Sequence, residues 1–206
     1  MKCGLKHELA LRSQGFSRIA GIDEAGRGPL AGPVVAAAVI LPDKFRHKTL
    51  RDSKQLTPRQ RELIFDELLA TPDVCWAVAG VSVEEIDRLN ILRATHLAMR
   101  LAVEQLAMPP EHVLIDGLPV RDFPIAQTAL VDGDALSLSI AAASVIAKVT
   151  RDRQMVELDR EYPAYGFALH KGYGTRLHLT RLREHGPCPH HRRSFSPVQQ
   201  VEFTFS

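Results

Sequence analysis

The sequence predicts an α/β domain built on a mixed five-stranded sheet flanked by helices, with a small helical extension at the C-terminus. Three observations lead there. The first 81 residues hold three short β-rich runs, Ile19–Asp23, Val34–Leu41 and Val74–Val81, the first two separated by a glycine turn. A helical region then precedes two more short runs, His112–Asp116 and Ile125–Val131. A long helical stretch, Ser137–Arg160, follows. Strands alternating with helices in this way imply a layered domain with a partly parallel sheet.

Taken in order, Arg12–Phe16 reads as a helical lead-in ending near Gly15. The short Gly26-Arg27-Gly28 turn makes strands one and two an antiparallel hairpin. Pro42–Leu50 is a loop. Thr57-Pro58 supplies a cap and a first-turn proline for a helix whose apolar residues, Leu63, Ile64, Leu68 and Leu69, keep helical spacing until Pro72. Ser82 with Glu85 is a capping box opening two helical pieces, Val83–Leu89 and Ile91–Leu106. That helical connection allows strand four to lie beside strand one. In Ser137–Arg160 the alanines 141, 142, 143 and 147 mark close packing. A loop, YGFALHKGYGT, leads to a helix over Arg176–His185, and the tail has no clear periodicity.

The 206 residues fit one domain, 1–206, with about 164–206 as a basic helix-loop extension. No run approaches the ~18 apolar residues of a membrane span, and the N-terminus lacks the apolar centre of a secretory signal. Three widely spaced cysteines suit a reducing compartment, so a cytoplasmic protein is expected, with a monomer as the default. Net charge is only +2, but between Ala164 and Arg193 six Lys and Arg residues and five histidines face a single acid, Glu184. Such a surface suits a polyanion. His185, Cys188, His190 and His191 lack a zinc-finger spacing and read as polar surface.

The chemistry gathers at Arg18–Leu41, where the first strand delivers Asp23 and Glu24 to the glycine turn. Gly26–Ala31 fits a dinucleotide-binding pattern, but a valine-rich strand follows instead of the required helix. No Gly-Lys-Ser/Thr follows either, which excludes a Walker loop. Two explanations stay open. The glycines allow a tight turn on which Arg27 pairs with Glu24 or Asp23; or the turn faces a nucleic-acid backbone beside a metal held by the acids. Further acids favour the second. Asp116 ends strand four, and Asp134 precedes the long helix. Two like charges 4 Å apart repel by about 4 kcal/mol at an effective dielectric of 20, so four carboxylates in one pocket need cations. Oxygen-only ligands point to Mg²⁺ or Mn²⁺, and a pair of such ions supports in-line phosphodiester displacement.

At this point the chain resembles the type 2 ribonucleases H, in their bacterial ribonuclease HII form. The segments are GIDEAGRGPLAGPVVAAAVIL, DSKQLTPRQRE, LIDG, SLSIAAASVIAKVTRDR, YPAYGFALHKGYGT and HRRSFSPV, together spanning about Ile19 to Val198. The resemblance implies a ribonuclease H-like sheet and metal-dependent cleavage of RNA in RNA–DNA hybrids. It also implies incision at single ribonucleotides embedded in duplex DNA, leaving a 3′-hydroxyl and a 5′-phosphate. Carried over by position, Asp23, Glu24, Asp116 and Asp134 bind the metals, and Gly26, Arg27 and Gly28 sense the 2′-hydroxyl. Tyr173 stacks at the RNA–DNA junction, Ser53 and Lys54 contact phosphate, and Lys148 and Arg151 approach a phosphate from the long helix. The family's basic residue two positions before the fourth acid is Asp132 here; the register of the following segment assigns the metal to Asp134. Gln200–Phe205 loosely resembles a sliding-clamp peptide, against an apolar strand or tail packed on the domain. The alternatives to this enzyme are a non-catalytic nucleic-acid binding module and a junction resolvase-like nuclease of the same fold.

Overall fold

Among the described residues, five strands form one sheet in the order β3-β2-β1-β4-β5, with β1 Ile19–Ala25, β2 Val34–Ile40, β3 Cys75–Val81, β4 His112–Asp116 and β5 Ala126–Leu130. The structure is a computed structural model that describes residues 3–50 and 53–205, with the backbone alone for residues 54 and 202–205. β1 pairs antiparallel with β2 and β2 with β3; β1–β4 and β4–β5 are parallel. Strand four does lie beside strand one, and both run to the same edge of the sheet. The fold is the mixed, helix-flanked sheet that the sequence predicts.

The helices are α1 Lys6–Arg12, α2 Pro58–Ala70, α3 Val83–Leu89, α4 Ile91–Glu104, α5 Leu138–Glu161, α6 Phe167–His170, α7 Arg176–His185 and α8 Ser196–Phe205. Side chains alternate between the faces of a strand, and the two faces bury different helices. Ala25, Ala37 and Val39 pack with Ala141–Ala143, Val145 and Ile146 of α5. Ala20, Ile22, Ala36 and Ala38 pack with Ala94, Ala98 and Ala102 of α4. Small residues let α5 approach β1 closely: a Cβ on Gly21 would stand 2.1 Å from the Ser139 carbonyl carbon.

The caps are as expected at Thr57, whose hydroxyl and Gln60 close a full capping box, and at Ser82, which accepts from the Glu85 amide. Two expectations need correction. The lead-in helix occupies Lys6–Arg12, ahead of Arg12–Phe16, because the buried carboxylate of Glu8 accepts from the Ser137 and Ser139 hydroxyls at the start of α5. That bond is made 129 residues away in the chain and leaves no local pattern. The tail is a helix rather than a strand: Val198 of α8 is buried against Leu30 and Leu182, a face supplied by other elements. The loop YGFALHKGYGT also folds into a single helical turn, α6, bounded by left-handed Gly166 and Lys171.

Candidate metal centre and nucleic-acid interface

Register explains the site. Ile22 lies beside Ile115 in the parallel β1–β4 pair, which puts Asp23 and Asp116 on neighbouring strand ends. Alternation turns both toward the α5 face. Asp134 enters from a 3₁₀ turn over Gly133–Ala135, just ahead of α5. Asp23, Asp116 and Asp134 each present a carboxylate oxygen within 4.8 Å of the others. The turn is held against β4 by the Gly133 amide, which donates to Asp116 Oδ1 at 2.7 Å. Asp132 is exposed in left-handed backbone at the start of that turn, whereas Asp134 is buried, so the geometry selects Asp134.

Burial pushes the Asp23 carboxyl well above the usual carboxylate range, with the Glu24 and Asp116 charges adding to it. The Glu24 amide donates to Asp23 Oδ1 at 2.7 Å, and the Ser144 hydroxyl also bonds this carboxylate. Three acids this close, two of them almost fully buried, are costly without a counter-charge. No basic side chain is bonded to Asp23 or Asp116 among the described residues. The donor set is all oxygen, on a scale that suits Mg²⁺ or Mn²⁺.

Glu24, the next residue along β1, lies outside the 4.8 Å group, but its charge acts on Asp23, and its Oε1 accepts from Arg27 Nη1 at 3.2 Å. The simple explanation of the turn is thus present in part: Arg27 does pair with Glu24.

The Gly26–Gly28 loop is anchored from below. Gly26 has φ +97°, where an added Cβ would strike the Arg151 side chain and sit 2.8 Å from the Pro33 carbonyl oxygen. The Arg192 guanidinium, fully buried, donates to the carbonyls of Gly26 at 2.6 Å and Arg27 at 2.9 Å, and to Gly32 and Pro33. Arg151 donates to the carbonyls of Pro33, Ala31 and Lys171. Burial lowers both guanidinium pKa values, Arg151 to about 10 and Arg192 to about 9. These are corrections. Arg151 is a buried anchor and does not reach a phosphate from the surface, and Arg192 leaves the expected basic surface. Both form bonds to backbone carbonyls of distant segments, which sequence spacing does not encode.

Tyr173 is half-exposed, and its ring lies 3.7 Å from where a Cβ on Gly28 would be. The tyrosine and the glycine turn therefore share one surface. Ser53 is buried with its hydroxyl 2.8 Å from that of Ser144, so it joins the network behind Asp23. The side chain of Lys54 lies outside the described residues. Lys148 Nζ bonds Asp152 Oδ1 at 2.6 Å, with burial lowering its pKa. The triad's partner that sequence reasoning misses is Ser144; its signal is a position three and seven residues before Ala147 and Arg151 on the buried helix stripe. Of the expected polar surface at residues 185–191, His185 is exposed and His190 partly so, whereas Cys188 and His191 are buried, with His191 Nε2 3.0 Å from His178 Nε2 beneath the Tyr165 and Phe167 rings.

A carboxylate triad at the shared edge of two parallel strands, beside a glycine turn and an exposed tyrosine, defines a metal-dependent nuclease of the ribonuclease H fold. A ribonuclease H2 from Pyrococcus horikoshii has the same architecture, with a TM-score of 0.76 and 30% identity over 92% of this chain and 99% of that one. The ribonuclease HII of Archaeoglobus fulgidus, solved with PCNA, matches with a TM-score of 0.73 and 27% identity over 87% and 96%. A ribonuclease HII family model matches residues 20–198. Ribonuclease HII of Desulfitobacterium hafniense is 57% identical over 95% of this chain and 75% of its own, and that of Polaromonas sp. is 57% identical over 89% and 92%. The chain belongs to the ribonuclease HII family. Among the described residues, no helix is long and apolar enough to cross a membrane.

Proposed function

We propose that Mg²⁺ or Mn²⁺ loads the triad and that the protein hydrolyses the RNA strand of RNA–DNA hybrids. It also cuts 5′ to single ribonucleotides in duplex DNA, leaving a 3′-hydroxyl and a 5′-phosphate. The convergence of Asp23, Asp116 and Asp134 within 4.8 Å carries this reading. These three acids would hold the ions, with Glu24 next to them. Bound there, a divalent pair would lower the pKa of the attacking water and neutralise the leaving 3′-oxygen.

The remaining work falls to the chain. Gly26 and Gly28 have no side chain to hold the ribose away, and Arg192 fixes the Gly26 and Arg27 carbonyls. Polar groups placed for a 2′-hydroxyl are left unpaired by deoxyribose, at a cost of about 1–3 kcal/mol. Tyr173 stacks on the following deoxyribose from beside Gly28. Lys54 supplies positive charge to a flanking phosphate, joined by Lys148 of α5 where a phosphate displaces Asp152, and Ser53 ties the turn that carries Lys54 to Ser144. Three free cysteines fit a reducing cytoplasm, where a monomer suffices. The archaeal relative solved with PCNA supports a sliding clamp as partner of Gln200–Phe205, whose side chains from residue 202 lie outside the described residues. Deleting the last seven residues then abolishes clamp binding.

The test uses three substrates: a duplex with one ribonucleotide, an all-DNA duplex and a four-way junction, each with and without Mg²⁺ or Mn²⁺. Incision of the first alone, and only with metal, is expected. Cutting of the junction identifies a resolvase, and binding without cutting identifies a non-catalytic module.

A further inference from the structure

A second feature opens at the same end of the sheet, on the face opposite α5. β3 runs parallel to β1, through two antiparallel pairings with β2, so the α3–α4 segment that follows it starts at the edge carrying the acids. There a cleft of about 870 Å³ lies between α4 and the segment after β4. Arg93, His96 and Arg100 line it from α4, and Leu118 and Arg121 line it from the other side. The α4 residues are three and four apart and so share one helix face. Arg88, also on the wall, is held by Glu85 through two hydrogen bonds. Among the described residues, no ion pair engages Arg93, Arg100 or Arg121, and Asp122 is the one acid on the lining.

The cleft lies near the catalytic end. Leu118 follows Asp116 by two residues and is 77% exposed. Glu24 and Arg27 sit on this same face, and Arg27 is near enough that its charge, after burial, helps to depress the His96 pKa. Three unpaired arginines in a groove cost electrostatic free energy unless a polyanion lies along them. Leu92 and Leu118, both at least half exposed, give the groove an apolar rim suited to sugar faces between phosphates.

We propose that this cleft holds the phosphate backbone of the duplex flanking the scissile bond, extending the nucleic-acid interface from Arg27 along α4. The inference rests on the proposed nuclease reading. Arg93, Arg100 and Arg121 are binding residues that reach the substrate away from the cut, and each neutralises a phosphate whose counterions are released.

The experiment compares the full chain with its Arg93→Gln/Arg100→Gln/Arg121→Gln variant on single-ribonucleotide duplexes in Mg²⁺. One duplex has long flanks; others are trimmed stepwise from either side. On the long duplex, KM is expected to rise about tenfold. The slope of log KM against log salt is expected to fall by about 2–3, one for each phosphate that an arginine no longer neutralises. Trimming one flank, and not the other, should abolish the difference. If the long-flank KM and salt slope match the unsubstituted protein, the inference is overturned and the cleft belongs to another partner, such as an acidic protein segment. An equal rise in KM on every duplex, trimmed or not, overturns it too. Failure of the unsubstituted protein to cut any ribonucleotide-bearing duplex overturns the nuclease reading instead. Should the triple variant fail to fold, Arg93→Gln/Arg121→Gln decides in its place, since both residues are exposed; the expected fall in slope is then about 1–2.

Discussion

Arg192 Nη2 donates to the Gly26 carbonyl oxygen at 2.6 Å, so a residue six positions before Val198 sets the backbone of a turn 166 residues upstream. The same guanidinium holds Arg27, Gly32 and Pro33. Replacing it leaves several buried carbonyls without a donor, at about 1–3 kcal/mol each where water does not substitute. Arg192→Met should lower stability by about 3 kcal/mol or more in urea unfolding. Arg192→Lys, with a point charge in place of a fork, should recover only part of that. In both, discrimination between ribose and deoxyribose should fall more than binding of the duplex.

Asp116 serves the site twice: it offers a ligand oxygen to the triad and accepts the Gly133 amide that sets Asp134 in place. Asp116→Asn keeps an oxygen for the amide and loses the charge. Fold and hybrid binding should persist, while Mg²⁺-dependent cleavage falls by about 10³-fold or more, some 4 kcal/mol of activation free energy. Thermal melting should show Mn²⁺ stabilising the unsubstituted protein and not this variant. Undiminished cleavage would refute the metal assignment.

Without metal, the raised Asp23 pKa makes the site a source of instability at neutral pH. A carboxyl whose folded pKa exceeds its unfolded value of ~3.9 contributes stability below that value and loses it as pH rises through the folded pKa. In a chelator, Asp23→Asn should therefore melt higher than the unsubstituted protein at pH 7. The difference should vanish near pH 4.

The histidines under the C-terminal extension act in the opposite direction. Burial lowers His178 to about 4 and His191 to about 3. A depressed pKa gives stability that is present above the unfolded value of ~6.5 and is lost as pH falls toward the folded value. Denaturant titrations between pH 6.5 and 4 should show a decline on the order of a few kcal/mol, beyond that of the carboxylates. His191→Gln should flatten it.

Gly21 touches the start of α5 so closely that a methyl group would meet backbone, with Ser139 C at 2.1 Å and Ile140 N at 2.3 Å. Gly21→Ala must push β1 from α5 and disturb Asp23 two residues on. We expect a loss of about 3 kcal/mol, or roughly 6–12 °C in Tm for a chain of this size, together with reduced cleavage.

Much of this protein is legible in the chain itself. Strands such as Val34–Ile40 and helices such as Pro58–Ala70 follow from local periodicity and caps, which act over a few residues. The acids are visible because each ends a strand or precedes a helix beside glycine, at Asp23, Asp116 and Asp134. How they are used emerges only in the folded chain. Glu24, beside Asp23 in the chain, stands outside the 4.8 Å group and pairs with Arg27, while its charge still acts on Asp23. Burial converts Arg192 from an apparent surface cation into an anchor of the glycine turn, and Arg151 into an anchor of Ala31 and Pro33 just beyond it. Glu8, far from any motif, fixes α1 by capping α5. These outcomes depend on which segments meet across more than a hundred residues. Such meetings are set by packing and desolvation of the whole chain, and no local spacing of residue types records them.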